Sequence, residues 1–107
     1  MTHPTSALSN VVHQRVRLGI LTVLRQVSRA DFTYLRDRLE LTDGNLSRNL
    51  AVLEESRFVT IEKTFEGKRP RTWVKITKAG GRALAEEIDA LRRLLHELEL
   101  DGGRKRQ

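Results

Sequence analysis

Residues 41–77 read LTDGNLSRNLAVLEESRFVTIEKTFEGKRPRTWVKIT, and this stretch decides the fold. It opens with a segment whose apolar residues recur at helical spacing, namely Leu46, Leu50 and Leu53. Thr42 stands where a helix N-cap is required, and Asp43 complements the positive end of the helix dipole. We therefore predict a helix from Asp43 to about Ser56.

A basic hairpin follows this helix. Apolar residues that alternate with polar ones predict strands over residues 59–65 and 71–76, joined around Gly67 and Pro70. The connection carries three cations, Lys68, Arg69 and Arg71. A stiff, exposed loop of this composition can reach DNA phosphates or a minor groove, although a charged turn can also serve solubility alone.

The apolar pattern also predicts the register of the hairpin. To place the apolar residues of both strands on one face, Ile61 must lie opposite Val74, and Val59 opposite Ile76. This register turns Trp73 to the other face, away from the core. We expect Trp73 to pack on a neighbouring element rather than to contact DNA.

Two further helices are predicted before this stretch. Residues 1–6 are polar and contain a proline, so we expect a flexible arm. A helix is predicted over residues 7–27, because its apolar residues form one stripe: Val16, Ile20, Leu24 and Val27. Thr33 is predicted to cap a short helix over residues 34–39.

The last helix is predicted over residues 78–100, with a disordered basic tail over residues 101–107. Its apolar residues follow a heptad pattern: Leu84, Ile88, Leu91, Leu95 and Leu98. Such a helix spans roughly 34 Å at about 1.5 Å per residue, more than a small domain needs to close its own core. We therefore predict a homodimer interface at these residues, the alternative being packing against the first helix.

The length and composition allow one domain, over residues 7–100. The chain has 107 residues and a formal net charge of +6, an excess that favours a polyanionic partner. Residues 57–82 contain Glu62 and Glu66 against eight basic residues, which are Arg57, Lys63, Lys68, Arg69, Arg71, Lys75, Lys78 and Arg82. This window accounts for all of the net charge, so the positive field is concentrated on the hairpin and its flanks.

The sequence contains no cysteine, which excludes disulfides, thiol nucleophiles and thiolate metal sites. The N-terminus lacks the basic and apolar regions of a secretory signal, and no apolar run approaches the ~20 residues that span a bilayer. We expect a cytoplasmic, nucleoid-associated protein with no membrane partner.

The helix over residues 43–56 has a polar face opposite its leucines. That face comprises Gly44, Asn45, Arg48 and Asn49, with Ser47 at its margin and Thr42 at the helix start. Arg, Asn and Ser are residue types that read base edges in a major groove, and Gly44 lets the helix N-terminus approach a phosphate. The same face could be an ordinary solvated surface, but the basic hairpin beside it favours DNA binding.

No catalytic constellation is apparent. The sequence has no Ser/His/Asp set, no paired buried carboxylates and no phosphate-binding glycine loop, so we predict no enzyme and no cofactor. His96 and Glu99 lie on one stretch of the last helix, near Asp89 and Glu86. One histidine with carboxylates on an exposed helix is usually solvated, so we predict no metal site.

The chain resembles the small winged helix-turn-helix transcriptional regulators of prokaryotes, related to the MarR and ArsR groups, in LTDGNLSRNLAVLEE and FEGKRPRTWVKIT. The resemblance covers about residues 16–98. It implies a predominantly helical α+β fold with a two-stranded wing and a long C-terminal dimerisation helix, and a homodimer formed by the first and last helices. It also implies that the helix over residues 43–56 is the recognition helix, which contacts DNA together with the wing. The residues implied in these contacts are Thr42, Gly44, Asn45, Ser47, Arg48, Asn49, Lys68, Arg69 and Arg71.

Two positions depart from the family pattern. Relatives usually have Gly where this chain has Arg57, just after the recognition helix, so Arg57 must adopt a left-handed conformation or the helix must end differently. Relatives also tend to have Arg at the position of Gly81, in a T-x-x-G-R pattern whose first four positions match at residues 77–80. Arg82 can substitute one step later.

The pattern as a whole predicts a dimeric, sequence-specific regulator of transcription that binds double-stranded DNA. A repressor is favoured over an activator, because binding alone can block a promoter. Two alternatives remain: a non-specific architectural nucleoid protein, or a winged-helix domain that binds another protein. Salt-dependent binding without base preference favours the first, and no DNA affinity at moderate salt favours the second. The sequence specifies no operator and no small-molecule effector.

Overall fold

The computed structural model describes residues 3–105, with side chains described as far as residue 100. A 3-10 helix (Pro4–Ala7) is followed by α1 (Arg15–Arg25), β1 (Ala30–Asp31), α2 (Phe32–Arg38), α3 (Asp43–Glu55), β2 (Val59–Glu66), β3 (Arg69–Ile76) and α4 (Lys78–Lys105). The strands form one antiparallel sheet in the order β1-β3-β2. This is the predicted winged-helix architecture: a helical domain, a hairpin wing (β2–β3) and a long last helix.

One hydrophobic core joins the helices to the sheet. Every element from α1 to α4, together with the segment before α1, contributes buried residues, among them Val12, Ile20, Leu21, Leu24, Ala30, Leu35, Leu46, Leu50, Leu53, Val59, Val74 and Leu84. The predicted inward face of α3 is confirmed, because its three leucines are at most 3% exposed. Since the core holds α3 by this face, the polar face of the helix is turned outward.

The wing has the predicted register. Ile61 pairs with Val74 and Val59 with Ile76, and both valines are buried. At the tip, Gly67 has a φ of 64° and is followed by Lys68, whose φ is not positive. A two-residue connection with this combination is typical of a type II′ hairpin turn, which favours Gly at its first central position.

The first helix begins later than the sequence predicts. α1 starts at Arg15 rather than at residue 7, because the side-chain oxygen of Gln14 accepts hydrogen bonds from the amides of Val16 and Arg17, at 3.0 and 3.1 Å. These bonds satisfy amides that have no partner within the helix. α1 then ends at Arg25, before the predicted end at residue 27.

Tertiary contacts hold the segment before α1. Residues 8–14 lie outside any helix, and Val12 is fully buried in the core. The carboxyl group of Glu87, on α4, accepts a hydrogen bond from the Ser9 amide at 2.8 Å and lies 2.8 Å from His13 Nδ1. Glu87 is 1% exposed, and a buried carboxyl group requires such partners. These contacts use backbone and side chains that the predicted helix would have placed differently.

Both terminal segments contain helical structure that was not predicted. Residues 4–6 of the predicted flexible arm, together with Ala7, form the 3-10 helix, which His3 caps by accepting a hydrogen bond from the Thr5 amide at 3.2 Å. α4 continues to Lys105, so residues 101–105 of the predicted disordered tail are helical. Residues 106–107 lie outside the described residues.

The short second helix is capped by Asp31, not by Thr33. Asp31 Oδ1 accepts a hydrogen bond from the Tyr34 amide at 2.7 Å, so α2 begins at Phe32. Asp31 also pairs with Trp73 in the sheet. Strand pairing gives Asp31 the extended backbone that an N-cap residue needs, and the helix start is displaced accordingly.

The two helices of the helix-turn-helix, α2 and α3, both end at a residue with a positive φ. After α3, Arg57 has a φ of 64°, the Phe58 amide donates to the Leu53 carbonyl at 2.9 Å, and the Arg57 amide donates to the Glu54 carbonyl at 2.9 Å. This is the Schellman pattern, which usually has Gly at the left-handed position. Glu40, after α2, has a φ of 54°. Arg57 therefore adopts the left-handed conformation, which costs a non-glycine residue about 1–2 kcal/mol.

A small hydrogen-bond network joins the end of α3 to the start of α4. The Phe58 carbonyl accepts from the Thr77 amide at 3.0 Å. Thr77 Oγ1 donates to the Arg57 carbonyl at 2.7 Å and accepts from the Gly80 amide at 3.0 Å. Gly80 packs so closely that a Cβ at this position would lie 2.1 Å from the Phe58 oxygen. The close approach explains why glycine follows Thr77 at this spacing.

Gly80→Ala should destabilise the protein, because the added methyl group would overlap the Phe58 carbonyl and force α4 to move. Overpacking of this kind costs roughly 1–3 kcal/mol. Gly81→Ala is the matched control: nothing lies within 4 Å of a Cβ there, and Ala is favoured over Gly in a helix by about 1 kcal/mol. Urea denaturation should shift the two midpoints in opposite directions. Equal midpoints would contradict the close approach.

Candidate nucleic-acid interface

The first two turns of α3 present a short polar surface to solvent. Thr42 caps the helix by accepting a hydrogen bond from the Asn45 amide at 3.1 Å. Gly44, Ser47 and Arg48 are exposed, whereas Asn45 is half-buried. The structure therefore brings five of the six residues predicted for the groove-reading face together on one helix surface.

Asn49 does not belong to this exposed surface, and the prediction that it reads a base edge is corrected. It is 9% exposed. Its Oδ1 accepts a hydrogen bond from Arg17 Nη1 at 3.0 Å, and its Nδ2 donates to the carbonyl and to Oδ1 of Asn45, at 2.9 and 2.8 Å. Neither N–H is left for DNA. The helical pattern places Asn49 at the border of the polar face, and only the packing of α1 decides on which side it lies.

The tip of the wing carries two exposed cations. Lys68 and Arg69 are both exposed, and neither forms a salt bridge with another described residue. Phe65, beside them, is 71% exposed. Free cations on a projecting loop suit contacts with phosphates, which position a protein on a duplex. Their predicted exposure is observed, and a DNA contact from either residue stays a prediction.

Arg71, the third cation predicted for the wing, is bound within the protein. Its Nη2 and Nε donate to Asp31 Oδ2, at 2.8 and 3.0 Å, and its Nη1 donates to Glu66. The hydrogen bond with Asp31, and then that with Glu66, raise the pKa of the guanidinium. Arg71 therefore links β3 to β1, and it is corrected from a free DNA-binding cation to a structural one. Its loop gives no sign of this, because Asp31 lies 40 residues earlier.

Asp31 is the centre of this link. One of its oxygens caps α2 through the Tyr34 amide, and the other accepts both hydrogen bonds from Arg71. Burial acts to raise the pKa of Asp31, but the hydrogen bonds from Tyr34 and Arg71, with the positive charge of Arg71, outweigh it. The pKa of Asp31 therefore lies below its ordinary value of 3.8. The wing and α2 thus share one ionised carboxylate.

Trp73 packs against arginines on the outer face of the sheet. The guanidinium carbons of Arg29 and Arg71 lie 3.7 and 4.3 Å from the centre of its ring, within the range of cation–π attraction. The predicted register of the wing is confirmed, and in it Trp73 pairs with Glu62 of β2. Arg29 was not predicted as a partner, because its position depends on the pairing of β1 with β3, which local patterns do not specify.

The residues predicted for a dimer interface on α4 fall into two groups. Leu84 is fully buried in the core and Ile88 packs against the core, so both residues belong to the chain's own core. Leu91 is half-buried, while Leu95 and Leu98 are 59% and 61% exposed. α4 spans about 42 Å at about 1.5 Å per residue, within a molecule 66 Å long. The heptad pattern therefore changes from core to exposed surface along the helix.

Other kinds of site find little support in the described part of the chain. Over residues 3–100, whose side chains are described, no group of three or more metal-ligating side chains comes together. Within the same residues, no helix combines the length and the apolar character needed to cross a membrane.

Comparison with known proteins identifies the family. A family model described as a winged helix DNA-binding domain matches residues 16–95, so the chain belongs to that family. An uncharacterized protein of Methanocaldococcus jannaschii is 38% identical over 84 residues, which cover 78% of this chain and 91% of that protein.

Solved structures extend the comparison to the three-dimensional fold. A transcriptional regulator homologue from Pyrococcus horikoshii is 33% identical and superposes with a TM-score of 0.79, covering 84% of this chain and 89% of that one. A MarR-family transcriptional regulator from Streptomyces coelicolor, solved in complex with DNA, has the same fold at 22% identity, with a TM-score of 0.65 over 96% of this chain and 77% of that one. The chain therefore shares its fold with a MarR-family transcriptional regulator.

Lowering the pH should weaken the link between Asp31 and Arg71. Because the folded-state pKa of Asp31 is depressed, its stabilising contribution is present above about pH 4 and is lost as the pH falls further. Asp31→Asn should therefore be less stable than the parent at about pH 7 but lose less stability between about pH 5 and pH 3. Asp89→Asn, at an exposed position on α4, is the control. Urea denaturation curves of equal pH dependence for the parent and Asp31→Asn would contradict this.

Proposed function

We propose that this protein binds double-stranded DNA with sequence preference and regulates transcription as a homodimer. The observation that carries the proposal is the exposed surface on the first two turns of α3, where Ser47 and Arg48 are exposed and Asn45 is half-buried. In a helix-turn-helix the N-terminal residues of the second helix contact base edges in the major groove. Arg in particular can bind the two acceptors of guanine.

The distribution of charge supports the same proposal. Lys68 and Arg69 project from the wing tip, and residues 57–82 account for the net charge of the whole chain. Phosphate contacts from such a surface would orient the protein on the duplex, whereas the α3 surface would select the sequence. Binding should therefore weaken as the salt concentration rises.

The exposed half of α4 supports a dimer. Leu95 and Leu98 continue the heptad pattern beyond the point where the chain's own core ends. Exposed leucines that repeat along one helix are typical of a subunit interface. A two-fold dimer would place two copies of α3 on a pseudo-palindromic site. We further propose that the protein represses, since occupation of a promoter is sufficient to block transcription.

Selection of bound duplexes from a random DNA pool, followed by sequencing, tests the proposal as a whole. An enriched inverted repeat would support both sequence preference and two-fold symmetry. A pool that stays random despite salt-dependent binding would instead indicate an architectural DNA-binding protein. No binding at moderate salt would favour a domain that recognises another protein.

Arg48→Ala should weaken binding to the selected operator by roughly 1–3 kcal/mol, because its guanidinium is proposed to read a base. Binding to random DNA should change much less. Lys68→Ala is the control, because it removes a proposed phosphate contact. It should weaken binding to every sequence alike and reduce the slope of log binding constant against log salt concentration by about one. Both effects can be measured by fluorescence anisotropy. Equal losses on operator and random DNA would make Arg48 a phosphate contact.

Leu95→Glu should dissociate the dimer without unfolding the domain, because it places a charge in the proposed apolar interface at a position that is 59% exposed in one chain. Leu100→Glu introduces the same change at a leucine that is 54% exposed but outside the heptad pattern, so it should leave the dimer intact. Sedimentation and circular dichroism measure mass and folding. A Leu95→Glu protein that stays dimeric would remove this part of α4 from the interface.

A further inference from the structure

Arg17, on α1, occupies an unusual position between the segment before α1 and the recognition helix α3. Its Nε donates to the Val11 carbonyl at 2.6 Å, its Nη2 to the Asn10 carbonyl at 3.3 Å, and its Nη1 to Asn49 Oδ1 at 3.0 Å. A guanidinium can only donate hydrogen bonds. Arg17 therefore requires an acceptor from each of these three neighbours, and it fixes which end of the Asn49 amide faces it.

The orientation of Asn49 follows from this requirement. With Oδ1 turned to Arg17, its Nδ2 must face the other way, where both N–H groups meet acceptors on Asn45: the backbone carbonyl at 2.9 Å and Oδ1 at 2.8 Å. The reverse orientation would set N–H groups against a guanidinium and oxygen against a carbonyl. Since Asn49 is 9% exposed, water could not compensate for these mismatches.

The orientation of Asn45 follows in turn. Its Oδ1 is turned towards Asn49, from which it accepts a hydrogen bond, so its Nδ2 occupies the other end of the amide. That NH₂ group has no hydrogen-bond partner among the described residues. Asn45 lies in the first turn of α3 and is half-buried. The amide therefore turns its donors to the side that is not covered by Asn49, while the Asn49 donor occupies one of the two lone pairs of Oδ1.

We infer that Arg17, Asn49 and Asn45 form a polarity relay, in which a donor-only guanidinium sets the direction of two amides and makes Asn45 a hydrogen-bond donor to DNA. This inference rests on the proposed function. In this relay Asn45 determines specificity, and Arg17 and Asn49 position it.

The relay predicts a particular kind of base preference. A freely rotating asparagine can bind adenine with both ends of its amide, as acceptor and donor together. An Asn45 amide that turns its donors to the groove instead best matches bases that present an acceptor without a neighbouring amino group, namely guanine with O6 and N7 or thymine with O4. It does not match the amino group of cytosine, and at adenine it meets N7 beside an amino group that it cannot bind as a donor. One operator position should therefore select a keto base over an amino base, by at least about fivefold.

Asn45→Asp tests the relay directly. The carboxylate keeps an acceptor for Asn49 Nδ2 and has almost the same shape, but it presents an acceptor to the groove in place of the donor. In selections from the random pool, the same operator position should change from guanine or thymine to cytosine or adenine, with lower affinity overall because of the added negative charge. An unchanged base at that position, or an equal loss of preference at all positions, would overturn the inference.

Asn49→Asp tests the positioning step. An aspartate would still accept from Arg17, but it has no N–H to direct the Asn45 amide. The keto preference at the Asn45 position should fall from about fivefold to unity or below, because the second carboxylate oxygen can accept from Asn45 Nδ2 and so turn Oδ1 outward, while the preference contributed by Arg48 at its own position is retained. Thermal unfolding monitors the fold of the variant. Retention of the full keto preference by Asn49→Asp would overturn the relay.

Selection with the unaltered protein separates this inference from the function on which it depends. A pool that stays random for the unaltered protein would reject sequence-specific binding, and the relay with it. An enriched operator whose Asn45 position tolerates all four bases would leave the proposed function standing and reject the relay alone.

Discussion

The contact between the Phe58 carbonyl and Gly80 determines how the functional parts of the molecule are arranged. The recognition helix ends there, the wing begins there, and α4 packs on the same carbonyl at a distance that admits no side chain. Thr77 adds hydrogen bonds to both sides of the contact. Because these groups meet at one place, a movement of α4 would displace the end of α3 and the start of the wing together. The strained backbone of Arg57 is held in the same network.

Buried polar groups provide a second set of connections, at the other end of the recognition helix. Glu87 holds the segment before α1 through Ser9 and His13, and Arg17 binds the carbonyls of that segment while it also binds Asn49. The two buried groups, Glu87 and Asn49, need these partners, because an unsatisfied one would cost about 1–3 kcal/mol. The polar surface of α3 therefore depends on residues far from it in the sequence, including one on α4.

Local patterns were sufficient where one element decides its own structure. The leucine spacing of α3, its Thr42 cap and the register of the wing were predicted correctly, because each follows from side-chain periodicity or from a single short-range hydrogen bond. Predictions failed where a distant residue intervenes. Asp31, not Thr33, caps α2, and Asp31 also binds Arg71. The segment before α1 is not helical as predicted, because it forms contacts with α4. Two of the five heptad residues on α4, Leu84 and Ile88, pack in the chain's own core.

The sequence by itself determined the winged-helix architecture, the concentration of positive charge around the wing and which helix faces are apolar, since these depend on periodicity and composition along the chain. Only the tertiary structure decided which polar side chains of that architecture remain free. Asn49 and Arg71 have the same chemistry as the half-buried Asn45 and the exposed Arg69, but they are bound by Arg17 and Asp31. Hydrogen bonds and ion pairs between distant residues form only when the core has packed the elements together, and no local pattern encodes them.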